Sequence, residues 1–502
     1  MKKTLLFVAA FCTLSHLQAA GKPNIILFLI DDMGVMDTSV PFLADKDGKP
    51  ERHPLNDLFR TPGMERLSRL GIRMRHFYAN SVCSPTRVSI MTGQSSARHR
   101  TTQWIRPEGN NAGPQGPKDW QWKGISPKHS TLPALLKKAG YRTIHAGKAH
   151  FGPNGSYGEL PQNFGFDVNI GGRAIGQPGS YYGKSNFTRG KNKSRAVFGL
   201  EKYHGKDIYL TEALTVEINA EIEQSVKQKK PFFAYMSHYA VHAPFNPDSR
   251  FAENYADKTV GRNAKAFATM IEGIDKSLND MLDHVEKLGV AEDTLVFFLG
   301  DNGTDAPLGK THAIACAAPL RGKKGTHYEG GMRVPFIAAW AKPNQDNPLQ
   351  KSLPIPAGKF SSTKGTICDL FPTILKLAGV SHDGRIDGSD FTGALSGGER
   401  TEEFTFLMHF PHSHRSSYYT AWHQGDWKLV YHYTRPPEKR YELFNLAKDR
   451  AEAKNLAADE PGHLHRMTTA MAAALKDADA LYPSAKKESG KKLLPIVPAK
   501  GS

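Results

Sequence analysis

Four stretches of the chain are apolar, rich in β-branched and aromatic residues, and end abruptly in polar side chains. They are NIILFLIDD at 24–32, YRTIHAGKAH at 141–150, PFFAYMSHYAVH at 231–242 and TLVFFLGDNG at 294–303. The first and last are nearly continuous Ile, Leu, Phe and Val, the pattern of strands buried on both faces. Segments with helical spacing lie between them. TPGMERLSRLG at 61–71 stops on Gly71. TLPALLKKAG at 131–140 offers Thr131 as a cap, Pro133 in the first turn and Gly140 as a stop. FATMIEGIDKSLNDMLDHVEKLG at 267–289 places Met270, Ile274, Leu278, Met281 and Val285 at helical spacing, and CDLFPTILKLAG at 368–379 reads as a further short helix. Strands alternating with helices predict an α/β fold: a large, mainly parallel sheet sandwiched by helices.

After about residue 395 the pattern changes. FTFLMHF, YYTAWHQGDWKLVYHY and RYELFNL read as short antiparallel strands around a Gly-Asp turn at 425–426, followed by a helix near 461–480. The expected organisation is a leader at 1–20, an α/β domain at 21–395, a smaller C-terminal α+β subdomain with an antiparallel sheet at 396–485, and a basic flexible tail at 486–502, loose or strapped to the surface. Residues 152–205 are rich in Gly, Asn, Lys and Tyr with weak periodicity, and predict a long insertion loop of the kind that shapes a substrate cleft.

Composition narrows the class. The first residues, MKKTLLFVAAFCTLSHLQAA, combine two lysines, a short apolar run and a small-residue end, as secretory leaders do. That run is too short to span a bilayer, and no later run is long enough, so a soluble periplasmic or extracellular protein is expected. The chain of 502 residues has only 4 Cys, which argues against a disulfide scaffold. Its formal net charge of +17 suits a polyanionic partner, though it also serves solubility. No zinc-finger, RNP or basic-zipper pattern points to nucleic acid.

The polar ends of the four strands carry the candidate chemistry, because ligands bind at the carboxyl ends of open parallel sheets. Those ends hold Asp31 and Asp32, Lys148 and His150, His242, and Asp301 and Asn302. Adjacent aspartates straight after a buried run are costly unless compensated. A hard divalent cation would compensate them, and an all-oxygen set suits Ca²⁺ or Mg²⁺ better than zinc. Each pair taken alone is equally compatible with a helix cap.

Cysteine arithmetic adds a question. Cys12 falls in the leader, leaving Cys83, Cys316 and Cys368, an odd number for an exported chain. Cys83 sits in SVCSPTRVSIMTG at 81–93. This stretch resembles the Cys-x-Pro-x-Arg motif of the type I, formylglycine-dependent sulfatases of the alkaline phosphatase superfamily. GYRTIHAGKAHFG at 140–152 resembles the family's GYxTxxxGKWHLG, keeping Gly147, Lys148 and His150 while Ala149 replaces the aromatic. PLRGKKGTHYEGGMRVP at 319–335 resembles LRGGKGxxxEGGxRVP, with Lys324 at the functional lysine, and YELFNLAKDRAEAKNLA at 441–457 resembles the closing segment. The resemblance runs from about residue 22 to 460.

The resemblance implies an alkaline-phosphatase-like fold and a sulfuric ester hydrolase acting on a sulfated carbohydrate. It implies that a separate maturation enzyme oxidises Cys83 to formylglycine, with Pro85 and Arg87 part of the tag it reads. Asp31, Asp32, the modified Cys83, Asp301 and Asn302 would hold one calcium. Arg87 would anchor the aldehyde hydrate, and Lys148 and Lys324 would grip the sulfate. His242 would protonate the leaving oxygen, and His150 would accept the proton of the second hydroxyl as sulfate is expelled. Trp104, Arg106 and the run HFPHSHR at 409–415 are candidates for a sugar subsite. His238, His312, His412 and His414 have no motif support. Cys316 and Cys368 are left either bridged or separately buried. A phosphatase or phosphonate monoester hydrolase of the same superfamily, and an inactive glycan-binding homologue, are the competing readings.

Overall fold

The computed structural model describes residues 21–190, 193–308, 316–486 and 490–499. Residues 1–20, expected as a leader and containing Cys12, and His312 lie outside them. No described helix is long and apolar enough to cross a membrane.

The run at 24–32 forms β1 (Asn24–Ile30), every residue of it buried. A short hairpin of β2 (Leu43–Ala44) and β3 (Pro50–Glu51) follows, then β4 (Ile72–Tyr78), β5 (Arg142–Gly147), β6 (Val168–Ile170), β7 (Phe232–Ser237), β8 (Thr294–Gly300), β9 (Phe336–Trp340) and β10 (Lys359–Thr366). Eight of these strands make one sheet in the order β10-β4-β9-β8-β1-β7-β5-β6. β1 lies at its centre, parallel to β7 and β8. β9 alone runs antiparallel, between β8 and β4. The α/β architecture and the mainly parallel sheet agree with the sequence pattern.

The strand alternation sorts side chains into two cores. Ile26, Phe28 and Ile30 face one layer, which includes Met270, Ile274, Leu278, Met281 and Val285. Ile25, Leu27 and Leu29 face the other, with Val88, Leu132, Leu136, Phe371 and Ile374. The covering helices are α1 (Pro62–Leu70), α2 (Cys83–Thr92), α3 (Ser96–His99), α4 (Leu132–Lys138), α5 (Leu210–Lys227), α6 (Arg262–Lys287), α7 (Glu329–Met332), α8 (Pro348–Ser352), α9 (Leu370–Leu377) and α10 (Thr392–Leu395). α6 begins five residues before the expected start, through a polar first turn without apolar periodicity. Cys316 belongs to the first core and Cys368 to the second, so the sheet separates them; both are free and buried. The stretch 152–205, expected as a loop, is largely irregular with several short 3-10 turns, and also contributes edge strand β6.

A second, antiparallel sheet follows: β11 (Thr405–Ser413), β12 (Ser417–Gln424), β13 (Trp427–His432) and β14 (Tyr441–Asn445), in that order, backed by α11 (Pro461–Asp477). One face packs Leu429, Tyr431 and Leu443 on Leu464, Met467, Met471 and Leu475. The other packs Phe406, Met408, Phe410, Tyr419 and Val430 on Tyr78, Val82 and Met332 of the larger body. Tail residues 490–499 are strapped to this sheet and its helix: the hydroxyl of Tyr441 on β14 donates to the carbonyl of Ile496 at 2.7 Å, and His465 Nδ1 on α11 donates to that of Pro498 at 2.8 Å.

A buried ion cluster rivets the two sheets. Lys428 of β13 is fully buried, with Nζ 3.2 Å from Glu329 and 2.7 Å from Glu452. Glu452 also accepts from the backbone N–H of Glu329 at 2.7 Å, and the Tyr78 hydroxyl donates to Glu329 at 3.0 Å. Removing one partner of such a cluster strands the others without water. Lys428→Ala should therefore lower stability by ~3–5 kcal/mol, read as a loss of Tm and of denaturant midpoint. A variant as stable as wild type would show that the cluster does not hold the sheets together.

Candidate active site

Cys83 is the first residue of α2, directly after the turn that follows β4, so its Sγ meets the positive end of a ten-residue helix. It is buried, 3 % exposed, at the floor of the site. His150 Nε2 lies 2.6 Å from the carbonyl of Ile105 and must donate to it. That fixes the tautomer: Nδ1 presents its lone pair to Cys83 Sγ at 3.3 Å. Burial first, then Lys148, holds the His150 imidazole well below its usual range, so it is neutral. Burial raises the Cys83 thiol, with Lys148 and Lys324 opposing.

The chain turns that deliver these groups are tight. His150 and Asp32 adopt left-handed backbone conformations, with φ of 56° and 62°. Gly147 closes β5 at φ 100°, and a Cβ there would lie 1.9 Å from the carbonyl oxygen of Ser237. Only glycine lets β5 pass β7 closely enough to bring Lys148 beside Asp31.

Three carboxylates and three cations are buried together. Arg87 Nη2 and Nε donate to Asp301 Oδ2 at 2.8 and 3.0 Å, and Nη1 donates to the Lys148 carbonyl and to Ser237 Oγ. Lys148 Nζ donates to Asp31 Oδ2 at 2.7 Å. Lys324 Nζ lies 2.6 Å from Asp32 Oδ1 and 2.7 Å from Oδ2. Burial drives the Asp31 carboxyl well above the usual range despite Lys148. Burial acts on Asp32 likewise, but Lys324, His242 and Lys148 overcome it and lower that carboxyl.

The donor set fits a hard cation. Asp31 Oδ1 and Asn302 Oδ1 are buried and have no hydrogen-bond partner. The orientation of Asn302 is defined, because its Nδ2 donates to Asp32 Oδ1 and to the Gly303 carbonyl, both at 2.9 Å. Donor atoms of Asp31, Cys83 and Asp301 lie within 4.8 Å of one another. Two bare oxygens beside these carboxylates are what an oxygen-preferring divalent ion would satisfy. Both oxygens of Asp32 are already engaged, by Lys324 and Asn302.

His242 stands across the cleft. Its Nδ1 donates to the Ala243 carbonyl at 2.9 Å, leaving Nε2 3.8 Å from Asp32 Oδ2. Burial, then Lys324, lowers His242 to about 4, with Asp32 opposing. An anion between Lys148 and Lys324 would offset those cations and raise it. The cleft above Cys83 holds about 250 Å³ and is lined by Trp104, Gln177, Arg195, His242, His414 and Arg415 among others.

All ten residues expected from the sequence thus meet at one place. Trp104, His414 and Arg415 of the subsite candidates line the cleft, while Arg106 lies over the Trp104 ring, 5.9 Å from its centroid. His238 and His412 are structural: the first meets Ser277 Oγ at 3.0 Å beneath the sheet, and the second bonds Thr102 Oγ1 at 2.8 Å and the Ala112 carbonyl at 3.0 Å. Sequence reasoning missed Ser237, Gln177, Arg195 and Asp305. Asp305 fastens Arg415 through two bonds of 2.6 and 2.8 Å. Gln177 and Arg195 come from the weakly patterned 152–205 stretch, whose cleft-lining role was foreseen only as a whole.

Comparison with known proteins agrees with this geometry. The family described as Sulfatase matches residues 23–380, and that described as N-sulphoglucosamine sulphohydrolase, C-terminal, matches 323–480. N-acetylgalactosamine-6-sulfatase of Canis lupus familiaris is 31 % identical over 421 residues, covering 80 % of this chain and 71 % of that protein. The Mus musculus enzyme of the same name is 30 % identical over 417 residues, covering 80 % and 72 %. The crystal structure of Ps i-CgsB in complex with k-i-k-neocarrahexaose superposes with a TM-score of 0.72 at 23 % identity, over 93 % of this chain and 96 % of the other. The chain belongs to the sulfatase family of the alkaline phosphatase superfamily and is a sulfuric ester hydrolase.

Proposed function

We propose that the protein is an exported sulfatase that removes sulfate from the end of a sulfated glycan, with Cys83 converted to formylglycine and a calcium ion held beside it. The observation that carries this reading is the pair of buried, unpartnered oxygens, Asp31 Oδ1 and Asn302 Oδ1, next to a cysteine that heads a helix. Asp31, Asp32, Asp301, Asn302 and the modified Cys83 would hold the ion. Together the ion and the aldehyde hydrate supply an acidified hydroxyl able to attack sulfur.

The remaining work belongs to side chains already in place. Lys148 and Lys324 bind the sulfate oxygens, since the ion would take up carboxylate charge that the two lysines now neutralise. Arg87 fixes Asp301 and ties α2 to the turn after β5 through the Lys148 carbonyl. His242, protonated on both nitrogens once the bound anion has raised it, faces the cleft with Nε2 and donates the proton that the leaving alcohol needs. His150, its tautomer set by the Ile105 carbonyl, receives a proton at Nδ1 beside residue 83. A cleft of about 250 Å³ is closer in size to a terminal sugar than to a polymer segment, and Trp104 offers that sugar a flat apolar face. The named relatives are N-acetylgalactosamine-6-sulfatases, and Ps i-CgsB was crystallised with k-i-k-neocarrahexaose. Residues 1–20 would serve as the export leader and 81–93 as the tag read by the maturation enzyme.

Protein produced in a host with that maturation machinery should carry an aldehyde at residue 83, captured by a hydrazide and located in the peptide by mass spectrometry. An unmodified thiol in active protein would refute the formylglycine reading. Removing calcium should abolish turnover and also lower Tm, because the ion binds only the folded cluster. Unchanged Tm in metal-free protein would exclude a structural calcium here.

The leaving group tests His242. A nitrophenolate departs without a proton, whereas a sugar alkoxide does not. His242→Ala should reduce kcat/KM by about 100-fold or more on a sulfated sugar, and far less on an activated aryl sulfate. Lys324→Ala, acting on the sulfate common to both, should impair both evenly. Equal losses for His242→Ala would make this histidine a binding or structural group.

A further inference from the structure

Outside the catalytic cleft, three metal-ligating side chains from three chain segments converge. They are His327 from the loop after Lys324, His432 from β13 and Glu442 from β14. His327 Nε2 lies 2.9 Å from Glu442 Oε2, and His432 Nε2 lies 3.2 Å from the same oxygen. All three donor atoms are within 4.8 Å of one another. The two imidazoles stand nearly perpendicular, 82° apart with centroids at 4.8 Å. Both rings are almost wholly buried, at 3 % and 2 % side-chain exposure, while Glu442 at 15 % opens the cluster to solvent.

The supporting contacts hold each donor in place. His327 Nδ1 is bonded to Ser416 Oγ at 2.8 Å, which leaves Nε2 as the inward atom. Arg435 donates to Glu442 Oε1 at 3.1 Å, and the Tyr328 hydroxyl reaches the same oxygen at 3.5 Å. Oε2 is therefore the oxygen aimed at the two histidines. Zinc bonds of about 2.0–2.1 Å in a tetrahedron separate neighbouring donors by roughly 3.3–3.4 Å. The two carboxylate–imidazole separations stand within half an ångström of that edge. Two imidazole nitrogens and one carboxylate oxygen with an open side are a borderline metal's ligand set, unlike the all-oxygen donors offered by Asp31 and Asn302.

We propose that His327, His432 and Glu442 form a second metal site, selective for zinc over calcium, that ties the Lys324 loop to the C-terminal sheet. On binding, each neutral imidazole keeps one proton, which moves from Nε2 to Nδ1, where Ser416 Oγ accepts that of His327; the Nε2 lone pairs pass to the metal, with Glu442 Oε2 as third ligand and water as fourth. The site lies three residues from Lys324. The same loop is held at its other end by Gly325, whose N–H donates to the Ser81 carbonyl at 2.7 Å and whose carbonyl accepts from Ser416 at 2.9 Å. An ion here fixes a loop that also meets the catalytic floor.

The test uses the full chain saturated with calcium, so that the catalytic cluster is filled, and titrates zinc by calorimetry with Tm as a second readout. Wild type should take up one zinc per chain and gain Tm. Glu442→Gln, which keeps a hydrogen-bond acceptor and the side-chain shape, should weaken uptake by about 100-fold or more, and Ser416→Ala by about 10-fold, as loss of an orienting partner does. No uptake by wild type would overturn the proposal and leave the cluster a hydrogen-bonded latch. Uptake unchanged in both variants would overturn it equally, by placing the zinc elsewhere. Should Glu442→Gln fail to fold, the Ser416→Ala shift together with wild-type uptake decides the question.

Discussion

Everything at the centre of this protein follows from burying three carboxylates at the carboxyl ends of two neighbouring strands. Asp31 and Asp32 end β1, and Asp301 ends β8, which pairs with β1 in register from Asn24 opposite Thr294 to Ile30 opposite Gly300. All three are essentially without solvent. Such charges cannot be left alone in a low-dielectric interior. The fold answers with Arg87, Lys148 and Lys324, each from a different segment, each buried against a carboxylate. The positions of α2, of the turn after β5 and of the loop before α7 are thus set by one electrostatic demand.

The second sheet is part of that answer. Lys324 reaches Asp32 only because its loop is fastened on both sides: to the Thr304 carbonyl through its own N–H at 2.9 Å, and to the C-terminal sheet through Gly325 and Ser416. Immediately after the loop, Glu329 opens α7 and enters the buried cluster with Lys428 and Glu452. A hydrophobic face alone would let the two sheets slide, whereas buried ion pairs with fixed geometry specify one register. Arg415, which lines the cleft from beyond the end of β11, is placed by the same contact and held by Asp305.

Sequence made the chemistry more legible than the architecture. β1 and β8 were readable because strands buried on both faces are continuous apolar runs, and the residues after them were readable because their polarity has no local explanation. The Cys83 segment carried its own meaning. β4, β9 and β10 were not readable. IRMRHFY alternates apolar with charged residues, FIAAW is short, and KFSSTKGT has almost no apolar run, since its strand lies at the sheet edge. The antiparallel course of β9 depends on pairing partners far away in sequence, which no local pattern encodes. Gln177 and Arg195 were hidden for the same reason: a cleft wall built of irregular turns has no period.

Charge balance explains why such a centre prefers an anion. Counted by formal charge, with Asp31 ionised as it would be beside a metal, three cations face three carboxylates and balance them. The unpartnered Asp31 and Asn302 oxygens call for a divalent cation, and adding one leaves two positive charges in excess inside a site closed to water. Expelling a lysine would relieve the excess but would expose a carboxylate to its neighbours. Binding a sulfate monoester, a monoanion, would halve it without moving anything, and the negative charge that develops at the leaving oxygen would meet the same field. With the ion bound, the centre would be strained electrostatically in the absence of its substrate and relieved by it, most of all at the point of highest charge. A neutral ester gains nothing from this arrangement. The positive field that a metal bound beside the buried lysines would create is the same one that would favour an anionic substrate.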